Sequence, residues 1–237
     1  MTETGPSIAT PAVTPRLRRA GDRALLLETG DPAGTIAVAA VLAAADLDEV
    51  EDLVPAAATV LVRAVRGADL AALGRRVLAA ADGATTGSAP TGSAATGGRH
   101  AGSGATAPDD LVIPVRYDGP DLAEVAASTG LAVAEVIAAH TGTPWQAAFV
   151  GFAPGFAYLV GGDPRLRVAR HPQSRPRVPA GSVALAGEYS AVYPRESPGG
   201  WQLIGRTTAR LWDEEAEPPA AIRPGRRVRF RDAGARP

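Results

Sequence analysis

Residues 150–162 read VGFAPGFAYLVGG and gather Phe152, Phe156 and Tyr158 around Pro154 and Gly155. The whole chain has only 4 Phe, 4 Tyr and 3 Trp, so this run is unusually rich in rings. A core strand would need neither Pro154 nor Gly155, and a solvent loop would not need the rings. One reading is a hairpin whose rings pack inward as core. The other is a stiff aromatic wall around a small-molecule pocket, with Tyr158 as one of its few polar groups.

A second stretch, RLRVARHPQSRPRVPAGSV (165–183), carries Arg165, Arg167, Arg170, Arg175 and Arg177 and no acid. It reads as a solvated loop or as an anion site, because guanidinium forks match carboxylate and phosphate. Arg175 and Arg177 sit among Pro172, Pro176 and Pro179, which lowers the entropy they lose on binding. In ESPGGWQ (196–202), Pro198-Gly199-Gly200 asks for a sharp turn in which glycine takes positive φ. Backbone N–H groups of Gly199 and Gly200 then form an anion nest, beside Trp201 as barrel core or pocket floor. Ser197 lacks a G-x-S-x-G context, so a Ser–His–acid triad is not supported. His140 falls in the last turn of a helix, where it complements the dipole or serves as an acid–base group.

Composition removes several chemistries. There is no Cys, so disulfides, thiolate metal sites and Cys nucleophiles are excluded. With His100, His140 and His171 as the only histidines, no metal site is expected. All 24 basic residues are Arg, so neither a Schiff base nor a P-loop lysine is available. A net charge of −1 argues against nucleic acid as partner. The opening MTETGPSIATPAVTPRLRR lacks a basic start followed by an apolar core, and no apolar run approaches the roughly 20 residues of a membrane span. The expectation is a cytoplasmic protein without a membrane partner.

These residues need elements to hold them. Residues 1–15 are Thr/Pro/Ala-rich and read as a disordered N-terminus. Residues 16–82 read as an N-terminal α+β domain: a strand at 24–29, a helix at 34–46, two strands around Pro55, a helix at 68–82 and room for one more strand. The first helix is expected to bury Ile36, Ala40, Ala43 and Ala44; the second has Leu70, Leu73, Val77 and Leu78 on one face. That order suggests a small split βαβ sandwich. Residues 83–108 are nearly all Gly, Ala, Ser and Thr and read as a flexible linker, with His100 solvated inside it. From 109 to 237 come a strand at 110–119, helices at 120–130 and 132–142, and then short apolar runs between Pro/Gly turns, the pattern of a β-barrel. In the last run Val228 and Phe230 point inward and Arg227, Arg229 and Arg231 outward.

Four strings, VGFAPGFAYL, HPQSRPRVPAGSVALAG, YPRESPGGWQLIGRT and PGRRVRF, resemble the family of the 5-oxoprolinase B subunit, also called the KipI family or allophanate hydrolase subunit 1 domain. The resemblance runs from about RRAGDRALLLE to the C-terminus, broken by 83–108. It implies a cyclophilin-like β-barrel behind the small domain. It also implies ATP-dependent opening of 5-oxo-L-proline (pyroglutamate) to L-glutamate. The direct partner implied is the enzyme's C subunit, the second partner its A subunit, with Mg-ATP bound here or by those partners. An isolated chain is expected to be inactive. Other members of the family inhibit a sensor histidine kinase or serve allophanate and urea degradation. Carried over by position, the family's cleft falls on His140, Phe152, Pro154, Gly155, Phe156, Tyr158, Arg175, Pro179, Ser182, Tyr193, Ser197, Gly199, Gly200, Trp201, Arg206 and Thr207. Arg175 and Arg206 are then expected to stabilise developing negative charge, and His140 to carry a proton. Ala157 and Val160 depart from the family pattern and alter the shape of the wall.

Overall fold

The computed structural model of the protein describes residues 16–86 and 110–234. The expected disordered N-terminus and most of the expected linker lie outside these residues. Strands β1 (Arg16–Arg19) and β2 (Ala24–Glu28) lead into helix α1 (Pro32–Ala44), followed by β3 (Val50–Pro55), β4 (Thr59–Ala64) and α2 (Leu70–Thr86). All pairings in this sheet are antiparallel and the order is β1-β2-β4-β3. β2 and β3 therefore run parallel with β4 between them, the expected split βαβ, and β1 is the extra strand. Helix α1 starts earlier than its apolar run suggests, because Asp31 accepts a hydrogen bond from Gly34 N and Pro32 occupies the first turn. Its buried face is Thr35, Val38, Ala39 and Leu42, not the expected Ile36, Ala40, Ala43 and Ala44. In a helix apolar on almost every side, pattern alone does not choose the inward face. Helix α2 continues to Thr86, four residues into the stretch expected to be linker.

The second half is the expected barrel. β5 (Leu111–Val115) is followed by helices α3 (Leu122–Thr129) and α4 (Val133–Gly142). Next come β6 (Trp145–Val150), β7 (Ala157–Val160), β8 (Arg175–Val178), β9 (Ser182–Ala186) and β10 (Tyr189–Val192). The last strands are β11 (Ser197–Gly199), β12 (Gln202–Arg206) and β13 (Arg227–Asp232). Seven strands form one sheet in the order β12-β9-β10-β7-β6-β13-β5, and β8 and β11 form a separate pair. The two edges of the large sheet meet where Arg116 and Arg206 exchange backbone hydrogen bonds of 2.8 and 2.9 Å. Gly119 and Gly205 permit this seam, since a Cβ on Gly119 would lie 2.2 Å from Leu203 O and one on Gly205 2.6 Å from Arg116 O.

The sheet is apolar on both faces. Along β9, Val183 and Leu185 join a core with Ile113, Val125, Val136, Trp145, Leu159 and Phe230. Ala184 and Ala186 face the other way, into a smaller cluster with Phe156, Ala191, Tyr193, Trp201 and Leu203. In the final strand Val228 and Phe230 are buried while Arg227 and Arg229 reach solvent, as the alternation requires. No single helix among the described residues is long and apolar enough to cross a membrane.

Candidate functional site

The smaller cluster opens into a cavity of about 410 Å³, lined by Phe152, Phe156, Tyr158, Tyr189, Tyr193 and Trp201 among others, with Arg170 as the only charged lining residue among the described residues. Its wall comes from three sources. The β6–β7 turn gives Phe152 and Phe156, the outward faces of β7 and β10 give Tyr158 and Tyr189, and the entry to β12 gives Trp201. Phe156 meets Tyr158, Tyr193 and Trp201 edge-on, at centroid separations of 5.1, 5.3 and 5.7 Å. Tyr158 stacks on Phe149 at 4.3 Å, so its ring is held from behind. Such contacts fix ring planes and keep the wall rigid.

Phe152 stands apart. It is 58 % exposed and has φ of +67°, a backbone region that bulky residues avoid. Its ring sits between the cavity and a second hollow of about 420 Å³ lined by Pro154, Gly155, Trp212, Ile222 and Arg223 among others. Gly155 is obligatory there: φ is +79° and a Cβ would lie 2.9 Å from Trp212 Cβ.

The polar groups of the cavity are few. Burial pushes the phenols of Tyr158, Tyr189 and Tyr193 up, and Arg170 opposes that shift at Tyr158 and Tyr193. All three therefore remain protonated donors. Arg170 is exposed, and neither its guanidinium nor the hydroxyls of Tyr158 and Tyr189 have a hydrogen-bond partner among the described residues. A cation unpaired among the described residues, beside edge-to-face rings, suits a small flat ligand with a carboxylate. The sequence shows Arg170 and Tyr189, but only the fold reveals that, of the five arginines of 165–183, Arg170 alone lacks a partner among the described residues and borders the rings.

The other expected site residues lie elsewhere. Arg175 is committed: Nη2 lies 2.5 Å from Asp121 Oδ1 and 3.0 Å from His171 Nε2, and Nη1 donates to Trp201 O at 3.2 Å. Arg206 projects from the barrel seam and pairs with Asp118 at 2.8 Å. Neither Arg175 nor Arg206 lines the cavity; the arginine that borders it is Arg170. His140 is fully buried in the larger core, stacked on Phe230 at 4.2 Å. Its Nδ1 bonds Tyr117 Oη and its Nε2 bonds Ser190 Oγ, at 2.7 and 2.9 Å. Burial pushes its pKa down to about 3. It stays neutral at ordinary pH and closed to solvent, on the sheet face opposite the cavity, so its position does not support the expected proton-carrier role.

The nest at Gly199 and Gly200 does not form, since neither residue has positive φ. Gly199 pairs with Arg175 in the two-stranded sheet, and Gly200 O accepts from His171 N at 2.7 Å. Gly199 is required for a different reason: a Cβ there would lie 2.3 Å from Tyr193 Oη. Ser197 turns its hydroxyl onto Arg195 O at 3.0 Å, away from any base. Pro179, Ser182 and Thr207 tie one turn together: Ser182 Oγ donates to Pro179 O at 2.8 Å, and Thr207 N donates to Gly181 O at 2.8 Å. That turn supports the wall through Gly181 N, which donates to Tyr193 O at 2.7 Å. Asp121, Glu124 and His171 bring ligand atoms within 4.8 Å of one another, but the Arg175 guanidinium already occupies the cation position beside two of them.

With this geometry in place, similarity to known proteins is informative. The 5-oxoprolinase B subunit of Escherichia coli O157:H7 is 46% identical over 123 residues, 51% of this chain and 56% of that protein. The same enzyme's B subunit in Bacillus subtilis (strain 168) is 46% identical over 121 residues, 50% of each chain. The chain thus spans about half the length of the curated relatives it matches. The crystal structure of TTHA0988 superposes with a TM-score of 0.67 at 33% identity, over 91% of this chain and 40% of that one. The family described as carboxyltransferase domain, subdomain C and D, matches residues 15–222, almost all of both folded halves. The chain belongs to this carboxyltransferase-domain family.

Proposed function

We propose that the chain is the B subunit of an ATP-dependent 5-oxoprolinase that opens 5-oxo-L-proline to L-glutamate, with the C subunit in direct contact and the A subunit completing the complex. The observation that carries this reading is the unpaired Arg170 beside a rigid aromatic cavity. 5-Oxoproline is a compact, nearly flat lactam bearing one carboxylate. Its ring stacks against Trp201 and Tyr158, and its carboxylate takes a charge-assisted pair with Arg170. The phenols of Tyr158 and Tyr189 are free donors for the lactam oxygen, where negative charge develops. The relatives named as 5-oxoprolinase B subunits agree with this substrate.

The residues here do not fit Mg-ATP. Among the described residues no carboxylate lines either cavity. The chain has no lysine, and the glycine nest is not formed. We therefore assign nucleotide and metal to the partner subunits, and the chemical role of this chain to holding the substrate. Coexpression with the A and C subunits tests the reading. The purified complex is expected to release glutamate from 5-oxoproline only with ATP, and this chain alone to release none. An assembled complex that consumes neither 5-oxoproline nor ATP would refute it.

A further inference from the structure

The polar cluster behind Trp201 has a use that the cavity itself does not reveal. Residues 200–203 carry Trp201 into the wall, and their main chain is held by side chains and by two segments not paired to it in a ladder. Gly200 O accepts from His171 N at 2.7 Å, and Trp201 O accepts from Arg175 Nη1 at 3.2 Å. Leu203 is held at both ends: its N–H donates to Asp121 Oδ2 at 2.6 Å, and its carbonyl accepts from Asp121 N at 3.0 Å. Asp121 is 4% exposed and stands at the N-terminus of α3, yet its carboxylate makes no capping bond to that helix. Both of its oxygens are turned to β12 and to Arg175 instead.

A buried carboxylate must be paired, and a buried carbonyl must find a donor. Arg175 meets both demands at once, because its fork reaches Asp121 and Trp201 O from a single planar group. A lysine ammonium has three donors on a single nitrogen and lacks the planar fork that here makes the two contacts from separate nitrogens. We infer that Arg175 is a positioning residue: clamped by Asp121, its guanidinium fixes the main chain at Trp201 so that the indole stands as a wall of the substrate cavity. This deepens the proposed function and rests on its reading of the cavity.

The test uses the full chain labelled with 5-fluorotryptophan, whose three resonances correspond to the 3 Trp. Trp201→Phe identifies the relevant line. In Arg175→Lys, the Trp201 line is expected to shift or broaden while those of Trp145 and Trp212 stay in place. Asp121→Asn, which keeps an acceptor for Leu203 N but removes the charge that holds Arg175, is expected to move the same line and provides the answer if the first variant folds poorly. In the complex with the A and C subunits, Arg175→Lys is expected to raise KM for 5-oxoproline at least about tenfold with kcat within about twofold. A Trp201 line unmoved in both variants overturns the inference, as does a fall in kcat at constant KM. Should the wild-type complex not consume 5-oxoproline, the functional reading fails, while the fluorine spectra still decide the clamp.

Discussion

Phe152 concentrates the tension between folding and binding in one side chain. Its φ of +67° is a conformation in which a Cβ crowds the following carbonyl, at a cost of roughly 1–2 kcal/mol. The exposed ring recovers little of that by burial, although it meets Phe156 edge-on at 5.2 Å. Strain held at the mouth of a cavity is expected where a ring must be presented to a ligand. Two truncations isolate the backbone term, since both remove the ring. Phe152→Gly is expected to be more stable to denaturant than Phe152→Ala by about 0.5–1 kcal/mol, because glycine accepts this φ freely. An alanine variant more stable than the glycine one would show that the residue is not strained.

Residue types and spacing pointed to Phe152, Phe156, Tyr158 and Trp201, and the family resemblance to Tyr193; all five border the cavity. They did not reveal which arginine borders it. Arg170, Arg175 and Arg206 are alike as letters, and only the positions of Asp121 and Asp118 distinguish the free one from the two that are spent. His140 misleads for a similar reason. A histidine in a last helical turn looks accessible until Phe230, Tyr117 and Ser190 from distant strands and loops close over it.

At the scale of elements, the barrel seam is the junction on which the site depends. The seam exchanges hydrogen bonds at Arg116 and Arg206, continues through Gly119 N to Ile204 O at 3.2 Å, and ends at Asp121. It thus fixes the β12 strand that carries Trp201 at its start. Gly119 has no room for a side chain, since a Cβ would lie 2.2 Å from Leu203 O and 2.4 Å from Ile204 C. Gly130, by contrast, ends α3 with φ of +70° in open space. Gly119→Ala is expected to destabilise by about 3 kcal/mol through overpacking against backbone, and Gly130→Ala by only about 1 kcal/mol through its φ. Denaturant melts of the two variants check the order; equal losses would mean that the seam is not tight. Gly130 was readable from sequence as helix punctuation, as were the alternating strands, whereas the Asp31-Pro32 start of α1 lies ahead of the apolar run that marks the helix. The seam was not, because a pairing between residues 116 and 206 leaves no local pattern.

At the scale of the whole molecule, a small α+β unit accompanies a barrel whose two faces serve different ends. One face builds the core around His140; the other exposes a ring-lined cavity whose one charged group among the described residues is Arg170. In the proposed function, nucleotide and metal are assigned to the partner subunits and substrate holding to this chain. Saturation kinetics with 5-oxoproline in the reconstituted complex, comparing Arg170→Met with Arg206→Met, test this account most directly. Loss of a charge-assisted pair predicts that Arg170→Met raises KM at least about tenfold with kcat little changed, and that Arg206→Met stays within about twofold of wild type. An unchanged KM in Arg170→Met, or an equal effect from Arg206→Met, would contradict it.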